Sequence, residues 1–138
     1  MIGLDTNILA RYYIQDDADA EARRQHEAAR SLIESGAPLM VCKTVLLELE
    51  WVMRGYYGFD AEEIAGAFSH LLCLEQVHME DRAGVAQALS HMSAGLDFAD
   101  ALHLAAYRDC AEMASFDDKR FARRAQRLNL SPRVVVPT

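Results

Sequence analysis

Leu39-Met40-Val41-Cys42 is a short apolar run with Gly36 and Pro38 just before it, and Thr44-Val-Leu-Leu-Glu-Leu-Glu-Trp-Val-Met-Arg-Gly-Tyr56 follows it almost at once. The run has the length of a strand, while the longer stretch shows helical spacing and strong helix formers. The same alternation recurs on both sides. Further strands are expected at Ile2 to Leu4, weakly at Gln76 to His78, at Glu112 to Phe116 and at Arg133 to Val136. Helices are expected at Thr6 to Tyr13, Ala18 to Ser35, Ala61 to Cys73, Glu80 to Ser93, Phe98 to Cys110 and Lys119 to Leu128. Strands that alternate with helices imply a parallel sheet covered on both faces, so the expected fold is a three-layer α/β/α sandwich around a central sheet of four to five strands.

Several boundaries have a chemical cause. Gly36 and Pro38 end the second helix, Gly58 and Asp60 stop one helix and cap the next, and Pro132 follows the last. The third strand is the weakest expectation: Val77 is its only good β-former, and Leu74 to Met79 reads equally as a loop.

With 138 residues, 51% of them apolar, the chain can bury one sizeable core, and a single domain over residues 1–138 is expected. It contains no linker-like tract, repeat or long apolar run, and its start lacks a basic segment followed by an apolar one, which points to the cytoplasm. Cys42, Cys73 and Cys110 form no C-x-x-C pair and read as reduced core thiols, and the five histidines form no H-E-x-x-H pattern. The net charge of −7 argues against a general positive field for nucleic acid, although carboxylates gathered in one cleft would make that figure misleading once divalent cations bind.

Ligands of open parallel sheets bind outside the carboxyl ends of the strands, and acids cluster in that part of the sequence. Asp5 follows the first strand, Glu48 lies in the helix after the second, Asp97 and Asp100 open the helix before the fourth, and Asp117 follows the fourth. Taken singly, each aspartate is most simply a helix cap or first-turn acid. Glu48 is different, because positions 44, 45, 48, 51, 52 and 55 share a helical face on which its neighbours include Val45, Trp51 and Val52. Glu50 reads as a surface partner of Arg54. No lysine or arginine is placed to neutralise all these acids, so a magnesium or manganese ion is the simpler solution.

Four motifs in order, Leu4-Asp5-Thr6-Asn7, Leu47-Glu48-Leu49-Glu50-Trp51-Val52, Asp97-Phe98-Ala99-Asp100-Ala101-Leu102-His103 and Ser115-Phe116-Asp117, resemble the PIN-domain nucleases, and among them the VapC toxins of bacterial toxin–antitoxin pairs. The resemblance covers nearly the whole chain. It implies a ribonuclease using one or two Mg²⁺ or Mn²⁺ ions, with Asp5, Glu48, Asp100 and Asp117 as the catalytic, metal-holding quartet. Asn7 and Ser115 would be polar supports, and Asp97 either a ligand or a cap. The resemblance also implies an RNA substrate, a VapB-type antitoxin and a homodimer. Asp117 is preferred over its neighbour Asp118, which is placed in the first turn of the last helix.

Other candidates have plainer explanations. His103 reads as a surface or packing histidine, and Trp51, Tyr12 and Tyr13 as core aromatics that could otherwise stack on bases. Arg120, Arg124 and Arg127 share a face that could hold RNA phosphates or simply be solvated. A processing nuclease without an antitoxin would use the same residues, and an inactive interaction module would keep the fold alone. A phosphatase or receiver domain wants a lysine that neither Lys43 nor Lys119 supplies, and a phosphatase wants an aspartate where Asn7 stands.

Overall fold

The computed structural model describes residues 1–16 and 18–138. It divides into two compact units, Met1–Arg82 and Ala83–Thr138.

The first unit runs β1 (Ile2–Gly3), α1 (Thr6–Tyr13), α2 (Ala20–Ile33), β2 (Leu39–Val41), α3 (Lys43–Trp51), α4 (Ala61–Cys73) and β3 (Val77–Met79). Its three strands are parallel, in the order β1-β2-β3. The uncertain third strand is a strand. Its ladder to β2 is extended by Leu39 N–H donating to Gln76 O and Glu80 N–H to Val41 O, and Val77 and Met79 are buried. Partner hydrogen bonds and burial outweigh the poor intrinsic propensity of the segment.

Helix boundaries in this unit follow their caps. Asp19 accepts the Ala22 N–H at 2.7 Å at the start of α2. Asp60 and Glu63 form a reciprocal capping box on α4. Gly36 and Gly58 sit at φ +82° and +73°, conformations that suit glycine as a helix stop. The core joins Leu9 of α1, Ile33 of α2, Leu39 and Val41 of β2, Leu46 and Leu49 of α3, and Ile64, Phe68 and Leu71 of α4. Each of these buried side chains contributes about 1.5–3 kcal/mol of apolar transfer.

After Trp51 the helix widens into a π-helical turn, Val52–Tyr56. The buried face of this region is Leu46, Leu49, Glu50 and Met53, and the exposed face is Thr44, Glu48, Trp51 and Gly55. This reverses two sequence expectations. Trp51 is 61% exposed and is not a core residue, whereas Glu50 is only 4% exposed, its carboxylate accepting from Arg54 Nε at 2.8 Å. Three strong apolar anchors at positions 46, 49 and 53 set the helix rotation, and Glu50 falls between them.

The second unit contains α5 (Arg82–Ser93, whose first residue closes the first unit), α6 (Phe98–Ala106), β4 (Glu112–Ala114), a π-helical turn (Asp118–Ala122), α7 (Arg123–Arg127) and β5 (Arg133–Val135). β4 and β5 pair in parallel, from Glu112 opposite Arg133 to Ala114 opposite Val135. Val85, Ala88, Phe98, Ala101, Leu104, Phe121, Ala125 and Val134 form its core. Helix α6 stops at Ala106, short of the expected Cys110.

All five expected strands are present and every pairing is parallel, in keeping with the expected α/β class; they are hydrogen-bonded as ladders of three and two. The cysteines are free as expected, but Cys73 and Cys110 are exposed and Cys42 is half-buried, so they are not core thiols. Cys73 and Cys110 fall at or beyond helix ends, where little packs over them. Among the described residues, no helix is long and apolar enough to cross a membrane.

Candidate active site

In the first unit, β1 delivers Asp5 to the start of α1. Its Oδ1 accepts the Thr6 N–H at 2.8 Å, which serves as the helix N-cap and fixes the carboxylate just beyond the carboxyl end of the strand. β2, the neighbouring strand, leads directly into α3, which carries Glu48 exposed in its second turn. Glu48 therefore does not lie among apolar side chains, as its sequence neighbours suggested; a solvated carboxylate there needs no partner to fold. Asn7 is exposed in the first turn of α1 and lines a cleft between α1 and α2 with Arg11, Gln25 and Leu32.

In the second unit, Asp97 caps α6, accepting the N–H groups of Ala99 at 3.0 Å and Asp100 at 3.4 Å. Asp117 caps the π-helical turn by accepting the Arg120 N–H at 2.9 Å, and its own N–H donates to Ser115 Oγ at 3.1 Å. Ser115 thus supports the backbone at Asp117 directly. Asp118 begins the turn and pairs with Arg123, in line with its expected place.

Asp100 is half-buried, and its carboxyl is pushed above the usual range by burial first, then by the negative charges of Asp97 and Asp117. His103 and Arg124 pull the other way without reversing the shift. Asp97 and Asp117 thus lie near enough to add to the shift that burial begins.

The basic row is less uniform than its sequence spacing implied. Arg124 donates to Gly95 O at 3.1 Å, and Arg120 lies in the π-helical turn, whose wider winding alters its angle relative to Arg124 and Arg127. Arg120 and Arg127 are exposed. His103 is exposed, as expected. Tyr12 and Tyr13 are only half-buried; their rings meet edge-on at 4.9 Å, and Tyr13 Oη bonds His70 Nδ1 at 2.8 Å, so the two form a local cluster at the unit's surface rather than a core.

These side chains offer oxygen donors, with no histidine or thiolate ligand pattern, which suits hard divalent cations such as Mg²⁺ or Mn²⁺. A cation beside Asp100 would favour its ionised form against burial and against the charges of Asp97 and Asp117. Among the described residues, no three or more His, Cys, Asp or Glu side chains are gathered as a ready-made ion site. Asp5, Asp97 and Asp117 are turned instead to backbone caps, so the fit lies in donor chemistry.

The fold and site thus define a parallel α/β protein that carries carboxylates beyond its strand ends. More narrowly, the chain belongs to the PIN-domain family, whose model matches residues 2–127. Members of this family are generally metal-dependent nucleases. No curated protein matches the chain.

Proposed function

We propose that this protein is a Mg²⁺- or Mn²⁺-dependent endoribonuclease, the toxin of a VapBC-type toxin–antitoxin pair. The observation that carries the nuclease reading is the half-buried Asp100 beside Asp97 and Asp117, in a chain that matches the PIN family almost throughout. Asp5, Glu48, Asp100 and Asp117 are assigned as the acids of the site from the sequence pattern. Asn7 and Ser115 are assigned as supports, with Asp97 primarily a cap. When bound, a divalent ion supplies Lewis-acid stabilisation of charge on the reacting phosphodiester oxygens. The chain's own part is to hold carboxylates in place without spending helix stability. Asp5 and Asp117 do so by accepting helix N–H groups, which restrains their rotamers before any ligand arrives.

The toxin assignment rests on the four-motif resemblance and brings with it a VapB-type antitoxin, a homodimer and a cytoplasmic site of action. The low content of lysine and arginine, 14 against 21 acids, fits recognition of RNA by local contacts rather than by a general field.

The test is cleavage of purified total RNA with Mg²⁺ or Mn²⁺ by the wild type and by Asp5→Asn, which keeps an oxygen to cap α1. Loss of cleavage in the variant and in chelator is the expected result. An antitoxin-free wild type that cleaves nothing with either metal would refute the nuclease. A small reading frame abutting the gene upstream would favour the toxin over a processing nuclease.

A further inference from the structure

We propose that Trp51 is a positioning residue that stacks on an unpaired base of the RNA substrate. The inference rests on the nuclease reading above and names a contact within it. Trp51 is 61% exposed, although a tryptophan in a small domain is ordinarily used as core. It lies three residues after Glu48 on the exposed face of α3, so the indole and the candidate site carboxylate are neighbours on one helix surface.

Gly55 also bears on how open the ring is. A Cβ built on Gly55 would stand 3.8 Å from Trp51 Cε2 and 4.0 Å from both Cδ2 and Nε1. Near-equal distances to three atoms of the fused ring system put Gly55 over the ring face, because an approach in the ring plane would leave Cδ2 well behind Nε1. With no side chain at Gly55 that ring face is left uncovered by position 55, and the exposure of the residue leaves ring surface open to a ligand. Base stacking needs an accessible π-face and draws on it rather than on a general positive field, which suits a chain of net charge −7. A protein partner is the weaker fit: Thr44 and Glu48 share the surface with Trp51, and a charged carboxylate is disfavoured at the desolvated centre of a protein interface.

Trp51 is the only tryptophan, so intrinsic fluorescence reports on this position alone. The full chain carrying Asp5→Asn, in chelator, is titrated with a single-stranded RNA oligonucleotide and with the corresponding duplex. Saturable quenching by the single strand, and much less by the duplex, is expected. In the active chain, Trp51→Ala should raise KM for single-stranded RNA about tenfold while kcat stays within about twofold, and Trp51→Phe should retain most of the affinity. Circular dichroism checks that each variant is folded. The proposal is overturned if labelled single-stranded RNA binds, by anisotropy, while Trp51 emission is unmoved. It is equally overturned if Trp51→Ala keeps its KM, including the case in which that variant loses an oligomer instead. Quenching in a protein that cleaves no RNA with either metal would support the stacking contact and sink the nuclease reading separately.

Discussion

Replacing Asp100 by Asn should stabilise the metal-free protein while abolishing its activity. Asp100 is half-buried in the first turn of α6, and its carboxyl is raised above its ordinary value of 3.8 by burial and by Asp97 and Asp117. A carboxyl whose folded-state pKa is raised favours folding when protonated, and that contribution is lost as pH rises through the folded pKa. At neutral pH the ionised group is therefore a net cost. Because the group is partly solvated and Arg124 and His103 offset some of the repulsion, the cost is set at about 0.5 kcal/mol. For a chain of 138 residues this corresponds to a Tm gain of about 1–2 °C for Asp100→Asn at pH 7. The assay is thermal unfolding of both proteins in chelator from about pH 4 to pH 7. The difference should shrink towards the acid end, as the wild-type carboxyl takes up its proton, and should grow towards neutrality. Adding magnesium should raise the wild-type Tm and not that of the variant, reversing their order. A lower Tm for Asp100→Asn in chelator at pH 7, or a difference independent of pH, would refute the reasoning.

The two acids of α3 should separate cleanly in urea unfolding: Glu50→Ala, which removes a buried carboxylate bonded to Arg54, is expected to cost about 1–2 kcal/mol, and Glu48→Ala less than about 0.5 kcal/mol. Only the second is expected to eliminate RNA cleavage. In the second unit, Asp117→Ala loses the cap on Arg120 N–H and should destabilise by about 1 kcal/mol, whereas Asp117→Asn keeps an acceptor and should melt close to wild type while losing activity. Phe68→Ala, in the core of the first unit, should cost about 3–5 kcal/mol by denaturant midpoint, which provides a control for loss of activity through unfolding alone.

What could be read from the sequence follows from which signals are local. The α1 and α4 boundaries were legible to the residue because their caps, Asp5 and Asp60, sit beside the helices they start. β3 was not, because Val77 alone carries local strand propensity and the ladder to β2 is made with residues far away in the chain. The positions of Asp5, Asp97 and Asp117 were legible as caps for the same local reason, and the structure gives all three that work.

Glu48 and Glu50 show where local reading runs out. Both faces of α3 carry apolar residues, so periodicity alone left its rotation undetermined, and the face through Val45, Trp51 and Val52 looked as buried as the face through Leu46, Leu49 and Met53. The structure selects the second, which carries the larger run of fully buried anchors. That one rotation has three consequences. It buries Glu50 against Arg54, it leaves Glu48 solvated and free of any structural duty, and it puts Trp51 outside beside Glu48. Turning the indole inwards would carry Glu48 in with it and bring Leu46, Leu49 and Met53 out, so the rotation found is the one that packing favours. It leaves a large apolar ring in water beside an acid whose removal should cost almost no stability, and the packing of α3 uses neither side chain. The Glu48–Trp51 face, which the packing of α3 does not use, is therefore the part of that helix to test for function.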